Sequence, residues 1–232
     1  MAKVAKIFIN LIPPPIRRFL RNKYRALVFR RALSKLARDP QRALQVQSKV
    51  IPDLIRGWGN EEYSAGEEFL RACLKYALRT QGPILECGSG LTTIVLGMIT
   101  KDSGKTIWSL EDNHKWGEIV NRYIRNNNIN SVHLFIKSLK AYRDFSWYDP
   151  PSEMMPDDFS LVVCDGPPGK TAGGRYGFVP VMGTHLKSGT VILLDDADRK
   201  PEQDIAARWA NELKTSLEIF GQDRPYIRLV VK

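Results

Sequence analysis

Four short, mostly apolar runs in this chain each stop at an acidic residue. They are Ile84-Leu85-Glu86, Ile107-Trp108-Ser109-Leu110-Glu111, Leu161-Val162-Val163-Cys164-Asp165 and Val191-Ile192-Leu193-Leu194-Asp195. Runs this continuous are buried on both faces, which requires a parallel sheet covered by helices on each side. The spacing predicts strands at 84–87, 106–110, 132–136, 160–164 and 190–194. Helices are predicted between and after them, at 91–100, 115–127, 177–187 and 201–214. Leu217–Phe220, a turn at Gly221–Arg224 and Tyr226–Val231 read as an antiparallel hairpin closing one sheet edge.

The stretch Pro83-Ile84-Leu85-Glu86-Cys87-Gly88-Ser89-Gly90-Leu91-Thr92-Thr93 is a strand, a glycine turn and the start of a helix. Glycines let a ligand approach the backbone, and the helix start offers free N–H groups. A dinucleotide turn of G-x-G-x-x-G type would need glycine where Thr93 stands, and Glu86 would direct a carboxylate at the pyrophosphate. A cationic ligand suits the turn better; a turn without any ligand is the alternative. Glu111 ends the second strand, where an acid can accept both hydroxyls of a ribose, with Asp112 beside it. An ordinary helix-capping acid is the other reading of Glu111.

Cys164-Asp165-Gly166-Pro167-Pro168-Gly169-Lys170-Thr171 is not a phosphate loop, because Cys164 stands where the first glycine should be. It also lacks the aromatic residue after the prolines that adenine-N6 methyltransferase motifs carry. What remains is an acid at the end of the fourth main strand, at the edge where open α/β sheets bind ligands. Asp195 and Asp196 close the fifth. Three carboxylates gathered there would raise one another's pKa unless a cation, backbone N–H groups, or Arg175 and Arg199 compensated them.

The glycine turn with its preceding acid resembles the first motif of class I SAM-dependent methyltransferases. The five β-α repeats with a terminal hairpin resemble that core over residues 61–232. The resemblance implies an α/β fold with a Rossmann-like, doubly wound, seven-stranded sheet, mostly parallel, and S-adenosyl-L-methionine as cofactor. Its binding residues would be Glu86, Gly88, Ser89, Gly90, Thr92, Glu111, Asp112, Ser138 and Asp165. Asp165 with the Asp195-Asp196 pair is similar to the ligand set of catechol-type, metal-dependent O-methyltransferases. That likeness implies Mg²⁺ or another divalent cation on Asp165, Asp195 and Asp196, holding an acceptor hydroxyl beside the methyl group. Asp165, Lys170 and Asp195 would then be catalytic; the family's lysine base falls at Pro168 here, and Lys170 is the nearest lysine. The expected function is O-methylation of a small-molecule or glycan-like acceptor. Two other classes stay open: an NAD-dependent oxidoreductase, and a non-catalytic, membrane-associated protein on a methyltransferase fold.

Charge separates the chain into two expected parts, a basic helical arm at 1–60 and the methyltransferase-like domain at 61–232. Residues 1–49 carry thirteen Lys or Arg against the single acid Asp39, while residues 50–232 carry twenty-two against twenty-four. A near-neutral domain argues against a nucleic-acid partner. After Pro13-Pro14-Pro15, the residues Ile16, Phe19, Leu20, Leu27, Val28 and Leu36 follow helical spacing among Arg17, Arg18, Arg21, Arg25 and Lys35. Such a helix packs on the domain or lies on an anionic membrane surface through residues 1–38. Residues 50–63 read as a loop and Glu61–Arg79 as a helix. No run approaches the length of a membrane span, so the chain is expected in the cytoplasm, peripheral to the membrane where the arm binds. Cys73, Cys87 and Cys164 read as core residues, and His114, His133 and His185 show no metal spacing. Trp58, Trp147 and Tyr148 are loop aromatics that either line a pocket or join the core. The glycine-rich loop Gly169–Gly177 offers Lys170 and Arg175 to an acidic substrate or to solvent.

Overall fold

The computed structural model describes residues 13–60 and 65–232. The chain divides into two compact units, Met1–Ser64 and Ala65–Lys232. In the first, helix α1 spans Pro14–Arg38, α2 Pro40–Ala43 and α3 Val50–Trp58. Prolines open α1, where no intrahelical N–H is needed, and Pro40 stops it after Arg38. Asp39 accepts a hydrogen bond from the Arg42 N–H at 2.9 Å and caps α2.

Helix α3 takes up residues 50–58 of the loop expected over 50–63, of which 61–63 lie outside the described residues. Pro52 is its third residue, still inside the first turn, where a missing N–H costs no hydrogen bond. Gly59, at φ 81, ends the helix in the left-handed conformation. A Cβ on Gly57 would lie 2.6 Å from the Phe29 backbone nitrogen, so α1 and α3 approach backbone to backbone there. Trp58 packs on Phe29, with ring centroids 5.6 Å apart, and is thus a packing residue. The expected single apolar stripe of α1 is two stripes. Phe29, Ala32, Leu33 and Leu36 are buried, while Ile16, Phe19, Leu20, Tyr24 and Leu27 are exposed.

The second unit begins with α4, Glu67–Arg79; the earlier start expected at Glu61 includes residues 61–64, outside the described residues. There follow β1 Ile84–Cys87, α5 Leu91–Thr100, β2 Ile107–Glu111, α6 His114–Asn126 and β3 Val132–Ile136. A short ribbon, β4 Lys140–Ala141 with β5 Ser146–Trp147, precedes β6 Phe159–Cys164. Then come α7 Phe178–Met182, β7 Leu186–Leu194, α8 Lys200–Glu212, β8 Leu217–Phe220 and β9 Tyr226–Val230. The helix expected at 177–187 is cut short. Gly183–His185 form a 3₁₀ turn, and Leu186 already pairs with Phe159, which starts β7 four residues before the predicted Thr190. His185 therefore sits in that turn, its Nδ1 2.8 Å from the Pro156 carbonyl.

The seven-stranded sheet has the order β3-β2-β1-β6-β7-β9-β8. The first five strands are parallel, and β9 runs antiparallel to both β7 and β8. Side chains alternate across it with the strand period of two. Leu85, Cys87, Val162 and Cys164 enter one core with Trp147, Phe178 and Trp209. Ile84, Leu161 and Val163 enter the other with Phe69, Cys73 and Leu96. All three cysteines are buried and free. The winding direction reverses between β1 and β6, which opens a crevice at their carboxyl ends.

Gly57→Ala tests the α1–α3 contact. Alanine favours an isolated helix by about 1 kcal/mol, yet here its methyl must displace backbone. The variant is expected to lose roughly 1–3 kcal/mol in chemical denaturation, the usual cost of overpacking; a gain in stability would contradict this packing.

Candidate functional site

The crevice floor is made by two loops whose backbones touch. Gly88 has φ 91, and a Cβ on it would lie 2.9 Å from the Gly166 nitrogen. A Cβ on Gly166 would in turn strike the Tyr148 hydroxyl. The N–H groups of Asp165 and Gly166 both donate to the Cys87 carbonyl, at 2.9 and 2.7 Å, locking the β6 loop to the β1 loop. Gly90 differs: a Cβ there would meet nothing, so its glycine answers to no neighbour in the chain.

Glu111, at the end of β2, fastens the turn. Its Oε2 accepts the Ser89 N–H at 3.0 Å and the Ser89 hydroxyl at 2.6 Å, and its Oε1 accepts the Asn113 N–H at 2.8 Å. Trp116 Nε1 donates to the Ser89 carbonyl at 2.8 Å from the other side. Burial raises the Glu111 pKa, and the Ser89 hydroxyl and the Asn113 and Ser89 N–H groups oppose that rise. Asp112, next in the chain, is raised by burial and lowered by the ammonium of Lys170, which is exposed. Ser138 follows β3 and is exposed.

Glu86 does not stand in the crevice. It shares the strand face of Ile84 and is fully buried. Its Oε2 accepts hydroxyl hydrogen bonds from Thr93 and Ser109, both at 2.6 Å, and its Oε1 has no partner. Gly90 N–H donates to Thr93 Oγ1 at 2.8 Å, so the carboxyl acts on the turn through Thr93. Burial pushes Glu86 to about 7, with Ser109, Thr92 and Thr93 pulling the other way. Thr93 and Ser109 were not anticipated; the signal was hydroxyl residues seven and twenty-three positions after a buried acid.

Asp165, Asp195 and Asp196 do gather at one edge, but around Arg175. This guanidinium is only 2% exposed. Its Nη1 donates to the Asp195 carbonyl at 2.8 Å. Its Nη2 donates to the Asp165 carbonyl at 2.8 Å and to Asp196 Oδ2 at 2.7 Å, and lies 3.3 Å from Asp165 Oδ1. Arg199 reaches the same Asp196 oxygen at 2.9 Å. Arg175 can point inward because Gly173 and Gly174, at φ 76 and 55, turn the chain. The loop thus spends the Arg175 charge internally; the expectation that Arg175 faces an acidic substrate or solvent is replaced by this role.

The fit to a divalent cation is poor. The expected ligands Asp165 and Asp196 already share a fixed guanidinium, and no group of three or more His, Cys, Asp or Glu among the described residues has metal-holding geometry. Asp195 is 1% exposed, with neither carboxyl oxygen hydrogen-bonded. Burial first, then Asp165 and Asp196, push it up to about 8. Asp165, half-buried, is raised to about 6 by burial, against the pull of Arg175. Trp147 is core, and Tyr148 is buried with its hydroxyl unpartnered beneath the crevice floor. His133 stacks on Trp108 at 4.6 Å.

No protein-family model and no curated protein matches this chain. Solved structures do. The O-methyltransferase from Bacillus cereus in complex with SAH has a TM-score of 0.56 at 16% identity, covering 84% of this chain and 97% of that one. The O-methyltransferase TomG from Streptomyces achromogenes, involved in tomaymycin synthesis and in complex with SAM, has 0.54 at 16%, covering 87% and 90%. The precorrin-6y C5,15-methyltransferase from Geobacter metallireducens has 0.53 at 16%, covering 75% and 95%. The fold of the second unit is that of class I SAM-dependent methyltransferases.

Asp195→Asn tests the carboxylate cluster. A carboxyl whose pKa is raised on folding stabilises the native state at low pH and loses that contribution as pH climbs to its folded value, here from about 4 to about 8. The variant is expected to melt above the parent at pH 9, with the difference shrinking towards pH 5; equal pH slopes would contradict the assignment. Arg175→Met, which strands the buried acids, is expected to cost about 3–5 kcal/mol in denaturation.

Proposed function

We propose that this chain is a SAM-dependent methyltransferase acting on an oxygen of a small-molecule or glycan-like acceptor. One observation carries the cofactor: Gly90 opens onto free space beside a turn that Glu111 holds rigid, at the sheet's switch point. The residues fit S-adenosyl-L-methionine. Glu111 Oε1 has a lone pair left for a ribose hydroxyl, and Asp112 stands next to it. Ser138, which follows β3, would contact the adenine, a reading its position after the third strand supports. Gly88, Ser89, Gly90 and Thr92 form the wall along the methionine portion, with Glu86 bracing it from beneath through Thr93. The antiparallel β9 and the absence of a third glycine at Thr93 weigh against a dinucleotide oxidoreductase.

When bound, the cofactor supplies a methyl group on a sulfonium, open to in-line attack by a nucleophile. Asp165 is the half-buried acid at the crevice and, with its pKa at about 6, is ionised at neutral pH. It orients the acceptor hydroxyl and takes its proton. Asp195, protonated at that pH, serves as a neutral neighbour, and Arg175 provides the positive charge that a metal provides elsewhere. Lys170 is exposed and its ammonium acts on Asp112, which supports a role for it in meeting an acceptor. Oxygen as the acceptor atom is supported by the O-methyltransferases among the structural neighbours.

Gly90→Ala separates folding from binding. Its methyl enters open space, so the melting temperature should hold, while SAH affinity by calorimetry should fall about tenfold or more from a blocked site. Parent protein that binds NAD but not SAH would overturn the reading.

A further inference from the structure

Helix α1 carries nine Lys or Arg and no acid in its twenty-five residues. At about 100° per residue, Phe29, Ala32, Leu33 and Leu36 share one side. They are buried, and Phe29 meets α3 at Gly57 and Trp58. Ile16, Phe19, Leu20, Tyr24 and Leu27 fall on roughly the opposite side, and they are 38–58% exposed. The helix therefore cannot bury both stripes against α3. Turning it to cover Phe19 would expose Phe29 and Leu33.

The charges around the outward stripe are ordered. Lys23 lies within it, its ammonium 5.5 Å from the Phe19 ring centroid. Arg17 and Arg21 lie along one margin by helical spacing. Past Leu27, the same outward side becomes basic with Arg30, Arg31 and Arg38. Three apolar turns are thus followed by basic turns on one line. No helix among the described residues is long and apolar enough to cross a membrane.

We propose that α1 is an interfacial anchor for an anionic lipid surface. Ile16, Phe19, Leu20, Tyr24 and Leu27 insert at the acyl boundary, and the flanking Lys and Arg side chains meet lipid phosphates. The choice of lipid rests on complementarity. A leaflet is apolar in depth and anionic at its rim, which matches an apolar stripe bordered by cations with no acid. A nucleic acid offers no apolar layer for Ile16, Leu20 and Leu27. The anchor is independent of the proposed methyl transfer.

The test uses the full chain with vesicles of phosphatidylcholine alone or mixed with phosphatidylserine. Binding is expected to the mixed vesicles only and to weaken as salt rises. The double variant Phe19→Glu/Leu20→Glu should bind at least about tenfold more weakly. Both positions are exposed, so its melting temperature and SAH affinity should match the parent's. In a Tyr24→Trp variant, emission should shift to the blue on the mixed vesicles, confirming that this stripe enters the lipid. No binding at low salt, or equal binding by the double variant, overturns the proposal. So does a lipid-free dimer that the same double variant abolishes, since a second copy would then cover the stripe.

Discussion

A buried guanidinium holds the carboxyl edge of the sheet together. Parallel strands β6 and β7 both deliver acids there, and the carboxyls of Asp165, Asp195 and Asp196 repel in a medium that screens poorly. Arg175 answers with two kinds of contact. It binds the main-chain carbonyls of Asp165 and Asp195, which fixes the two strand ends relative to each other. It also binds the Asp165 and Asp196 carboxylates, which fixes the charge. A planar, multi-donor group can do both at once, whereas a lysine ammonium would have to choose. Even so the compensation is incomplete, and burial with the neighbouring carboxyls raises Asp195.

The crevice depends on that edge. With β6 fixed, the Asp165 and Gly166 N–H groups can reach the Cys87 carbonyl, and Gly166 can lie against Gly88. Glu111 then ties the Ser89 turn to β2. Floor and wall are thus set by the chain's own hydrogen bonds, and of Gly88, Gly90 and Gly166 it is Gly90 that faces unfilled space. O-methyltransferases and a C5,15-methyltransferase are among the solved structures that share this fold.

In the first unit a similar economy governs α1. Packing against α3 uses one phase of the helix, with the Phe29 backbone seated against Gly57. The other phase is left outward with its cations, and the helix becomes two-sided along its length.

Much of the second unit was legible in the sequence. β1 and α5 fall at 84–87 and 91–100 as read, because a buried apolar run and a glycine turn leave few alternatives. Local pattern failed where partners decide. Pro52 and Gly57 look like loop residues until α3 is seen using one in its first turn and the other as a contact point. Thr190 looked like the start of β7 until pairing with β6 extended the strand back to Leu186. The sequence by itself determined the sheet, the acids at its edge and the basic composition of α1, since these follow from periodicity and charge. Only the tertiary structure decided that Glu86 lies beneath the turn, that Arg175 lies among Asp165, Asp195 and Asp196, and that the apolar residues of α1 face two ways. Those depend on which side chains meet across distant segments, and no spacing along the chain encodes that.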